Sequence, residues 1–507
     1  MIMDRSKTLA DVDPHDRQAA VSAPLRERVL SAGAWVTAGF ILDKLIAAVQ
    51  LAVLARLLAP ADFGLMAASA VVLVALLMLS EVGIEPALVT RKDPTSSDLA
   101  VAWTLSLGRS LILAVAVWVL ADGVAWFFRA PELATLLRVH SVALLLQGAQ
   151  SPALALLQRS LDLRRRVRFD LARRLVEATA TIALALWLRN VWALLGGQLI
   201  GFAFGCALSY RTAPFVPRVS LASDSLTHFR QFGRQFNATT VLVFLVSSGG
   251  EFAVGRALGT EALGIYQVAM AIPVLIGTRL MIVMNQVSLP TYAMLRENRE
   301  GLARAFSLQV GLAGLGLFPL AAGLGVAAAE LVPLAFGPHW DATITPLRWL
   351  AGYAVCTGLS GIMASLHYGL NRPELQRRVW TAQFLLYAAL IVPLTLQFGV
   401  AGAAASLTVS SLLGLGLNLA ATWSLLGDDL WRAMRSLARW GGVVALGGAA
   451  WLAVRALQPD PHAAWGLALG AAGAASLCLL YLWWIEVPRL RMLWSGRGSS
   501  QEGWIVW

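Results

Sequence analysis

The stretch LARLLAPADFGL at residues 54–65 returns in outline two hundred positions later as VGRALGTEALGI at residues 254–265. Each copy closes a long apolar segment with an arginine, crosses a short turn that contains an acid, and opens the next apolar segment at a glycine. The identical pairs are Arg56/Arg256, Leu58/Leu258 and Gly64/Gly264. A helix-turn-helix repeated inside an apolar chain predicts a duplicated bundle, an architecture that many transporters use.

The composition excludes an ordinary water-soluble globule. Of 507 residues, 58% are hydrophobic and only 14% are charged, which is typical of a polytopic membrane protein. A spanning helix needs about 20 mostly apolar residues. We therefore predict an all-α membrane protein with about fourteen transmembrane helices, at residues 31–55, 65–88, 99–121, 133–157, 171–188, 191–210, 235–255, 265–288, 305–329, 343–369, 379–398, 400–425, 440–457 and 463–486.

The basic residues lie mainly on one side of this predicted topology. With the N-terminus inside, thirty Lys and Arg residues fall on the cytoplasmic side and six on the outside, which is the positive-inside pattern. The net charge of +11 is thus explained by helix orientation, and no nucleic-acid partner is expected. We predict a multi-pass protein of the bacterial inner membrane with both termini in the cytoplasm, and interpret tryptophans near the helix ends, such as Trp35, as interface anchors.

Six helices in each half give parallel repeats related by an axis along the membrane normal. The predicted organisation is a disordered cytoplasmic tail at 1–28, an N-lobe at 29–213, a cytoplasmic linker at 214–234, a C-lobe at 235–425, two appended helices at 426–487 and a cytoplasmic tail at 488–507. Residues 157–174 and 427–439 are expected to form amphipathic helices on the membrane surface, in contact with lipid headgroups.

Several short motifs resemble polysaccharide transporters of the O-antigen and exopolysaccharide flippase type (Wzx-like). That family lies within the superfamily of multidrug, oligosaccharidyl-lipid and polysaccharide exporters. The resemblance covers residues 30–425 and is carried by residues 53–64, 80–84, 87–93, 255–259, 262–266, 336–340 and 371–375. Relatives usually carry Asp before the Gly-Arg turn of the seventh helix, where this chain has Glu251.

The resemblance implies a two-lobed, antiporter-like exporter fold. It further implies alternating access, in which an undecaprenyl-pyrophosphate-linked oligosaccharide moves from the cytoplasmic to the outer leaflet. A proton or Na⁺ gradient would drive this transport, and membrane lipids and polysaccharide polymerase or assembly proteins are the expected partners. No cofactor or catalytic residue is expected, since the chain has no ATP-binding P-loop, acid pair or metal cluster.

Cations within apolar segments are the candidate substrate-binding residues. A charge at the bilayer centre costs roughly 2.5 to 3.5 kcal/mol on insertion scales, so such residues usually face a cavity or a partner. Lys44, Arg109 and Arg279 are predicted to contact the pyrophosphate, because guanidinium forks suit bidentate phosphate contacts. Neutralisation by Asp43 or Glu251 is the alternative. Asp43 and Lys44 point about 100° apart on a helix, so we expect them to have different partners.

Four carboxylates complete the candidate site. Glu251 follows Asn237, Thr240 and Ser247 at helical spacing and is the first candidate for ion coupling, with Asp43 as the second. Glu81 and Glu85 share one helix face and are candidates for a gate. Pairing with Arg91 or Lys92 is the alternative for these two acids.

Two other classes of protein remain possible. A drug/cation antiporter of the same superfamily would favour an acidic cavity, against which the intramembrane cations argue. A membrane glycan polymerase or ligase enzyme is disfavoured, since the predicted external loops are very short.

Overall fold

A computed structural model describes residues 14–80, 83–91, 94–160, 162–220 and 238–456 of the chain. Within these ranges the secondary structure is helical, with no β-strand. The chain divides into two compact units, Met1–Asn237 and Ala238–Trp507. The all-α fold class predicted from the sequence is confirmed.

Unit 1 is a bundle of helices of unequal length. They are α1 (Pro14–Leu57), α2 (Pro60–Leu79), α3 (Ile84–Thr90), α4 (Ser96–Phe128), α5 (Glu132–Gly148), α6 (Leu154–Arg159), α7 (Leu163–Leu188) and α8 (Val191–Thr212). Helix α7 packs against both α1 and α8, and α5 packs against α4, α8 and α2. Helix α1 begins within the segment expected to be a disordered tail.

Unit 2 contains the longer helices. They are α9 (Ala238–Leu258), α10 (Thr260–Met294), α11 (Arg299–Phe336), a 3-10 helix (Pro338–Thr343), α12 (Ile344–Gly369), α13 (Pro373–Leu426) and α14 (Asp429–Ala456). Helix α12 packs against α10, α11 and α13, and α9 packs against α13. Buried side chains of α11 and α12, among them Phe306, Leu317 and Ile362, form the core against which α14 packs Leu430 and Leu437.

The repeated sequence forms a tight helical elbow in each unit. Helix α1 ends at Leu57 and α2 begins at Pro60, while α9 ends at Leu258 and α10 begins at Thr260. In the first elbow the Asp62 carboxylate accepts a hydrogen bond from the Ala59 backbone N–H at 3.1 Å, which satisfies a free donor at the start of α2. The helix-turn-helix prediction is confirmed in both copies.

Within the described ranges, eight helical segments are long and apolar enough to span a membrane. They are Trp35–Leu57, Pro60–Leu79, Ser96–Phe128, Val191–Thr212, Val241–Leu258, Arg299–Phe336, Pro338–Gly369 and Pro373–Leu426. The predicted count of fourteen is not confirmed. The fourteenth predicted span, at 463–486, lies outside the described residues, as do most of the predicted linker and the C-terminal tail.

Helix α13 combines two predicted spans. Its 54 residues are interrupted at Gly399, where the backbone has φ 61° and ψ −141°. That conformation is essentially confined to glycine. The break falls between the segments predicted at 379–398 and 400–425.

Both segments predicted to be amphipathic are largely helical, and each continues into the apolar segment that follows it. The arginine-rich part of 157–174 continues into the following apolar segment as α7, and 427–439 continues as α14. No proline interrupts the chain between Leu163 and Leu188 or between Asp429 and Ala456, so the hydrogen-bonded helix runs on. The location of these segments at the membrane surface stays a prediction.

Glycines on α8 allow α7 to approach it closely. Gly197 lies against Thr181, so that a Cβ atom built on it would be 2.5 Å from the Thr181 Cα atom. One and two turns further along α8, Gly201 and Gly205 face Glu177 and Arg173 in the same way. The polar side of α7 therefore lies against a helix surface that has no side chains.

We expect Gly197→Ala to destabilise unit 1, since the added methyl group must push α7 and α8 apart. Overpacking of this kind costs about 1 to 3 kcal/mol, measurable as a lower free energy of unfolding in detergent. Gly123→Ala on α4 is the matched control, because its Cβ meets nothing within 4 Å and alanine favours a helix. Equal stability of the two variants would contradict the close contact.

Candidate functional site

Five charged side chains form a connected cluster within unit 1, here called the ion cluster. Its first part lies on α1, where Lys44 Nζ is 2.7 Å from an Asp43 carboxylate oxygen. The other Asp43 oxygen lies 3.7 Å from Arg174 Nε on α7. The expectation that Asp43 and Lys44 have different partners was wrong, because the flexible lysine stem curls back to the neighbouring carboxylate.

Glu177 connects the rest of the cluster. One carboxylate oxygen is 2.8 Å from Arg174 Nη1, and the other is 2.9 Å from Arg173 Nη1. The spacings of three and four residues place all three side chains on one face of α7. The ion cluster therefore forms an unbroken chain from Lys44 through Asp43, Arg174 and Glu177 to Arg173.

The glycine surface of α8 gives the ion cluster its position. A Cβ atom on Gly201 would lie 2.6 Å from Glu177 Cβ, and one on Gly205 would lie 2.7 Å from Arg173 Cδ. The Arg173 guanidinium also lies 5.3 Å from the centre of the Phe202 ring, within the range of a cation–π contact. Larger residues on α8 would displace the charged face of α7.

The ion cluster carries one more cation than anion. Its side chains are partly buried, from Glu177 at 14% exposed to Asp43 at 33% exposed. Burial of a charge in an apolar bundle is unfavourable unless the charge is paired. Three cations and two carboxylates thus leave a positive site, whose guanidinium forks suit a phosphate or another oxyanion.

Three members of the ion cluster were missed in the sequence. Arg173 and Arg174 were counted among the cytoplasmic cations, and Glu177 was not a candidate. The sequence does contain a pattern that indicates ion pairs within α7. Glu177 follows Arg173 by four residues and Arg174 by three, and side chains at these spacings are neighbours on a helix. The contact between Arg174 and Asp43 could not be predicted in this way. Asp43 lies 131 positions earlier in the sequence, and the two residues meet only because α1 packs on α7.

Arg109 contacts the end of a neighbouring helix. Its Nε atom donates to Ser80 Oγ at 3.0 Å, and its Nη2 atom donates to the Leu77 carbonyl at 2.7 Å. Cations at a helix C-terminus satisfy its last carbonyls and favour the helix dipole. These bonds hold the end of α2, and the substrate-binding role of Arg109 stays a prediction.

Arg279 lies on α10, but its side chain is outside the described part of the structure. Its predicted contact with substrate is therefore untested.

Glu251 lies on α9 in unit 2, among buried tyrosines. It is close enough to Tyr266 and Tyr387 to interact electrostatically with both. The glycine before it makes room for these rings, since a Cβ on Gly250 would lie 2.8 Å from Tyr266 Cζ. Both tyrosines are at most 2% exposed, and their hydroxyl groups have no hydrogen-bond partner among the described residues.

Unpaired buried hydroxyls beside a carboxylate provide oxygen atoms for a small hard cation, or donors for a proton-linked water. The geometry around Glu251 therefore fits an ion-coupling role, which stays a prediction.

The predicted gate is only partly described. Glu81 lies outside the described residues. Glu85 accepts a hydrogen bond from Gln158 Nε2 at 3.0 Å and lies 3.6 Å from Arg166 Nη1. Arg91, one of the two partners weighed for these acids, pairs with the buried Asp98 at 2.9 Å. The other, Lys92, lies outside the described residues, so pairing with it stays a prediction. Glu85 meets Gln158 and Arg166 because α6 and α7 return to this end of the unit.

Comparison with known proteins places this chain among membrane transport proteins. The family model described as "Polysaccharide biosynthesis protein" matches residues 53–345. The chain is 24% identical to the lipopolysaccharide biosynthesis protein WzxC of Escherichia coli (strain K12), over 73% of this chain and 75% of that protein. It is also 24% identical to the succinoglycan biosynthesis transport protein ExoT of Rhizobium meliloti (strain 1021), over 58% and 59% of the two chains.

Solved structures share the fold. The lipid II flippase MurJ in an inward closed conformation superposes with a TM-score of 0.70 at 12% identity, covering 91% of this chain and all of that one. An inward-facing transporter of the multidrug resistance MATE family gives a TM-score of 0.52 at 16% identity, covering 79% and 95%. The exporter fold implied by the sequence motifs is confirmed.

We expect Arg174 and Glu177 to stabilise the fold jointly. In a double-mutant cycle of Arg174→Gln and Glu177→Gln, the coupling free energy of unfolding should be about 1 to 2 kcal/mol, because the pair is largely shielded from water. The exposed pair Arg165–Asp162 on the same helix is the control, and its coupling should be about 0.5 kcal/mol or less. Similar coupling in both pairs would contradict a special role for the ion cluster.

Proposed function

Because the chain belongs to the polysaccharide biosynthesis protein family, we propose that it is a flippase for a polyprenyl-pyrophosphate-linked oligosaccharide. The cargo would be a repeat unit of O-antigen, capsule or exopolysaccharide. It would cross the bacterial inner membrane from the cytoplasmic to the outer leaflet by alternating access. The observation that carries this proposal is the positive ion cluster inside an apolar bundle with an exporter fold.

A pyrophosphate matches the chemistry of the ion cluster. Lys44, Arg173 and Arg174 are held by Asp43 and Glu177. A diphosphate can replace these carboxylates as the partner of the same cations, since guanidinium groups bind phosphate and carboxylate with the same fork geometry. On binding, the cations would exchange their carboxylate partners for the diphosphate. The cations are already partly removed from water in the folded protein, so binding would add little further desolvation cost.

Two relatives support this class of substrate. The names of WzxC and ExoT refer to lipopolysaccharide biosynthesis and succinoglycan transport. MurJ, which has the same fold, is a flippase for lipid II. We infer a related cargo here, with Arg109 and Arg279 as further candidate contacts.

Glu251 is our candidate for the coupling ion. Its carboxylate, together with the buried hydroxyl groups of Tyr266 and Tyr387, would bind H⁺ or Na⁺, and movement of that ion down its gradient would bias transport outward. Asp43 is the second candidate, although its carboxylate already contacts Lys44 and Arg174.

A drug/cation antiporter is the alternative, and the acid at Glu251 is the observation that favours it. The excess of cations in the ion cluster opposes a cationic cargo, because like charges repel strongly at low dielectric. We also propose a cytoplasmic location for both termini and a partnership with polysaccharide polymerase or assembly proteins.

Arg174→Gln in reconstituted liposomes should slow transfer of labelled polyprenyl-pyrophosphate oligosaccharide by tenfold or more, because a lost charge-assisted phosphate contact is worth about 1.5 to 3 kcal/mol. Arg165→Gln, which removes an exposed cation from the same helix, should leave the rate nearly unchanged. Correct insertion of each variant is checked by proteolysis of the liposomes. Absence of transfer in the wild-type protein under any proton or Na⁺ gradient would contradict the flippase function itself.

Glu251→Gln should abolish the response of transfer to the coupling gradient while leaving slow, gradient-independent exchange. The neutral amide has nearly the same shape but cannot exchange a proton or neutralise a bound cation. Rates are measured with imposed pH and Na⁺ gradients in turn. Glu300→Gln is the control, since Glu300 is an exposed acid of the same unit, and its gradient response should persist. An unchanged gradient response in Glu251→Gln would remove that residue from coupling.

A further inference from the structure

Two arginines of α7 share one tryptophan of α1. The Arg164 guanidinium lies 5.1 Å from the Trp35 ring centre, and the Arg168 guanidinium lies 5.9 Å from it. Both distances are within the range of cation–π contacts. All three side chains are exposed, and together they form what we call the Trp–Arg patch.

The packing of α1 on α7 holds this patch together. Gly39, one turn after Trp35, lies so close to Val167 that a Cβ atom there would overlap the valine side chain. Val167 lies between the two arginines in sequence, so this contact sets Trp35 beside both of them. The patch is thus built on two helices in close contact and not on a loop.

The two arginines of the patch differ from the neighbouring arginines of α7 in the side chains that they contact. Arg165 pairs with Asp162 at 3.1 Å, and Arg166 pairs with Asp170 at 3.2 Å. Among the described side chains, Arg164 and Arg168 contact Trp35 but form no salt bridge with a carboxylate. Like charges four residues apart on a helix repel each other, so an anion placed between them would relieve an existing repulsion.

The position of the patch along α1 and α7 indicates that it lies at the membrane surface. Trp35 lies near the start of the apolar stretch that follows Arg28, and Arg164 and Arg168 lie in the first two turns of α7. The ion cluster begins at Asp43, eight residues or about 12 Å further along α1. A tryptophan at the edge of an apolar span is typical of the headgroup region, where the phosphates of phospholipids lie.

We propose that Trp35, Arg164 and Arg168 form a binding site for the phosphate headgroup of an anionic phospholipid. The two guanidinium groups bind the phosphate oxygens, and the Trp35 ring keeps both arginines oriented and packs on the upper acyl chain. This function goes beyond transport, since the bound lipid is a constituent of the bilayer and not the cargo. It ties the first helix of unit 1 to a defined depth in an anionic membrane.

The test measures lipid binding to the purified full-length protein by native mass spectrometry. The protein is titrated with phosphatidylglycerol, phosphatidylcholine or undecaprenyl diphosphate. We expect Arg164→Gln/Arg168→Gln to weaken phosphatidylglycerol binding about tenfold, since each surface cation contributes to anionic lipid attraction, and to leave phosphatidylcholine unchanged. Trp35→Leu, which keeps an apolar side chain, should weaken phosphatidylglycerol binding about threefold. This single variant provides the test if the double variant does not fold.

The control is Arg165→Gln/Arg304→Gln, which removes two equally exposed arginines that have carboxylate partners. Its affinity for phosphatidylglycerol should stay within about twofold of the wild type. Equal losses in both double variants would show attraction by net charge only and would overturn the site. A loss confined to undecaprenyl diphosphate would assign the patch to the transported lipid and would equally overturn the proposal. These binding measurements do not depend on transport activity.

Discussion

The need to pair charges inside an apolar bundle governs the structure of unit 1. Glu177 meets this need by binding Arg173 and Arg174 at once, and Asp43 links them to Lys44. The arrangement depends on Gly201 and Gly205 of α8, because only a surface without side chains lets the charged face of α7 pack against another helix. An isolated charge at the same depth would be unfavourable by several kcal/mol.

The same pairing leaves the ion cluster able to exchange its partners. Carboxylates and phosphates both accept paired hydrogen bonds from the guanidinium group of arginine. The two acids therefore occupy the donors that an anionic ligand would bind. The excess of one cation biases the cluster toward such a ligand. A fully neutralised cluster would serve stability alone, whereas we propose that this composition serves stability and anion binding together.

The two units share the elbow but differ in their polar chemistry. In unit 1 the ion cluster has an excess of one cation, and a second pair of arginines lies beside Trp35. In unit 2 the carboxylate of Glu251 lies among buried tyrosine hydroxyl groups that lack partners in the described structure. We propose that this divergence separates the site for an anionic cargo from the site for a coupling cation.

The sequence by itself determined the helical fold class, the paired elbows at Arg56 and Arg256, and the boundary between the spans predicted at 379–398 and 400–425, because apolar length and turn residues are local properties. The tertiary structure alone decided which charges meet. Asp43 reaches Arg174, and Glu85 reaches Arg166 in place of Arg91, since these partners come from helices far apart in the chain. It also decided that Arg109 holds the end of α2, because helical periodicity places a side chain on a face but does not identify the helix that packs there.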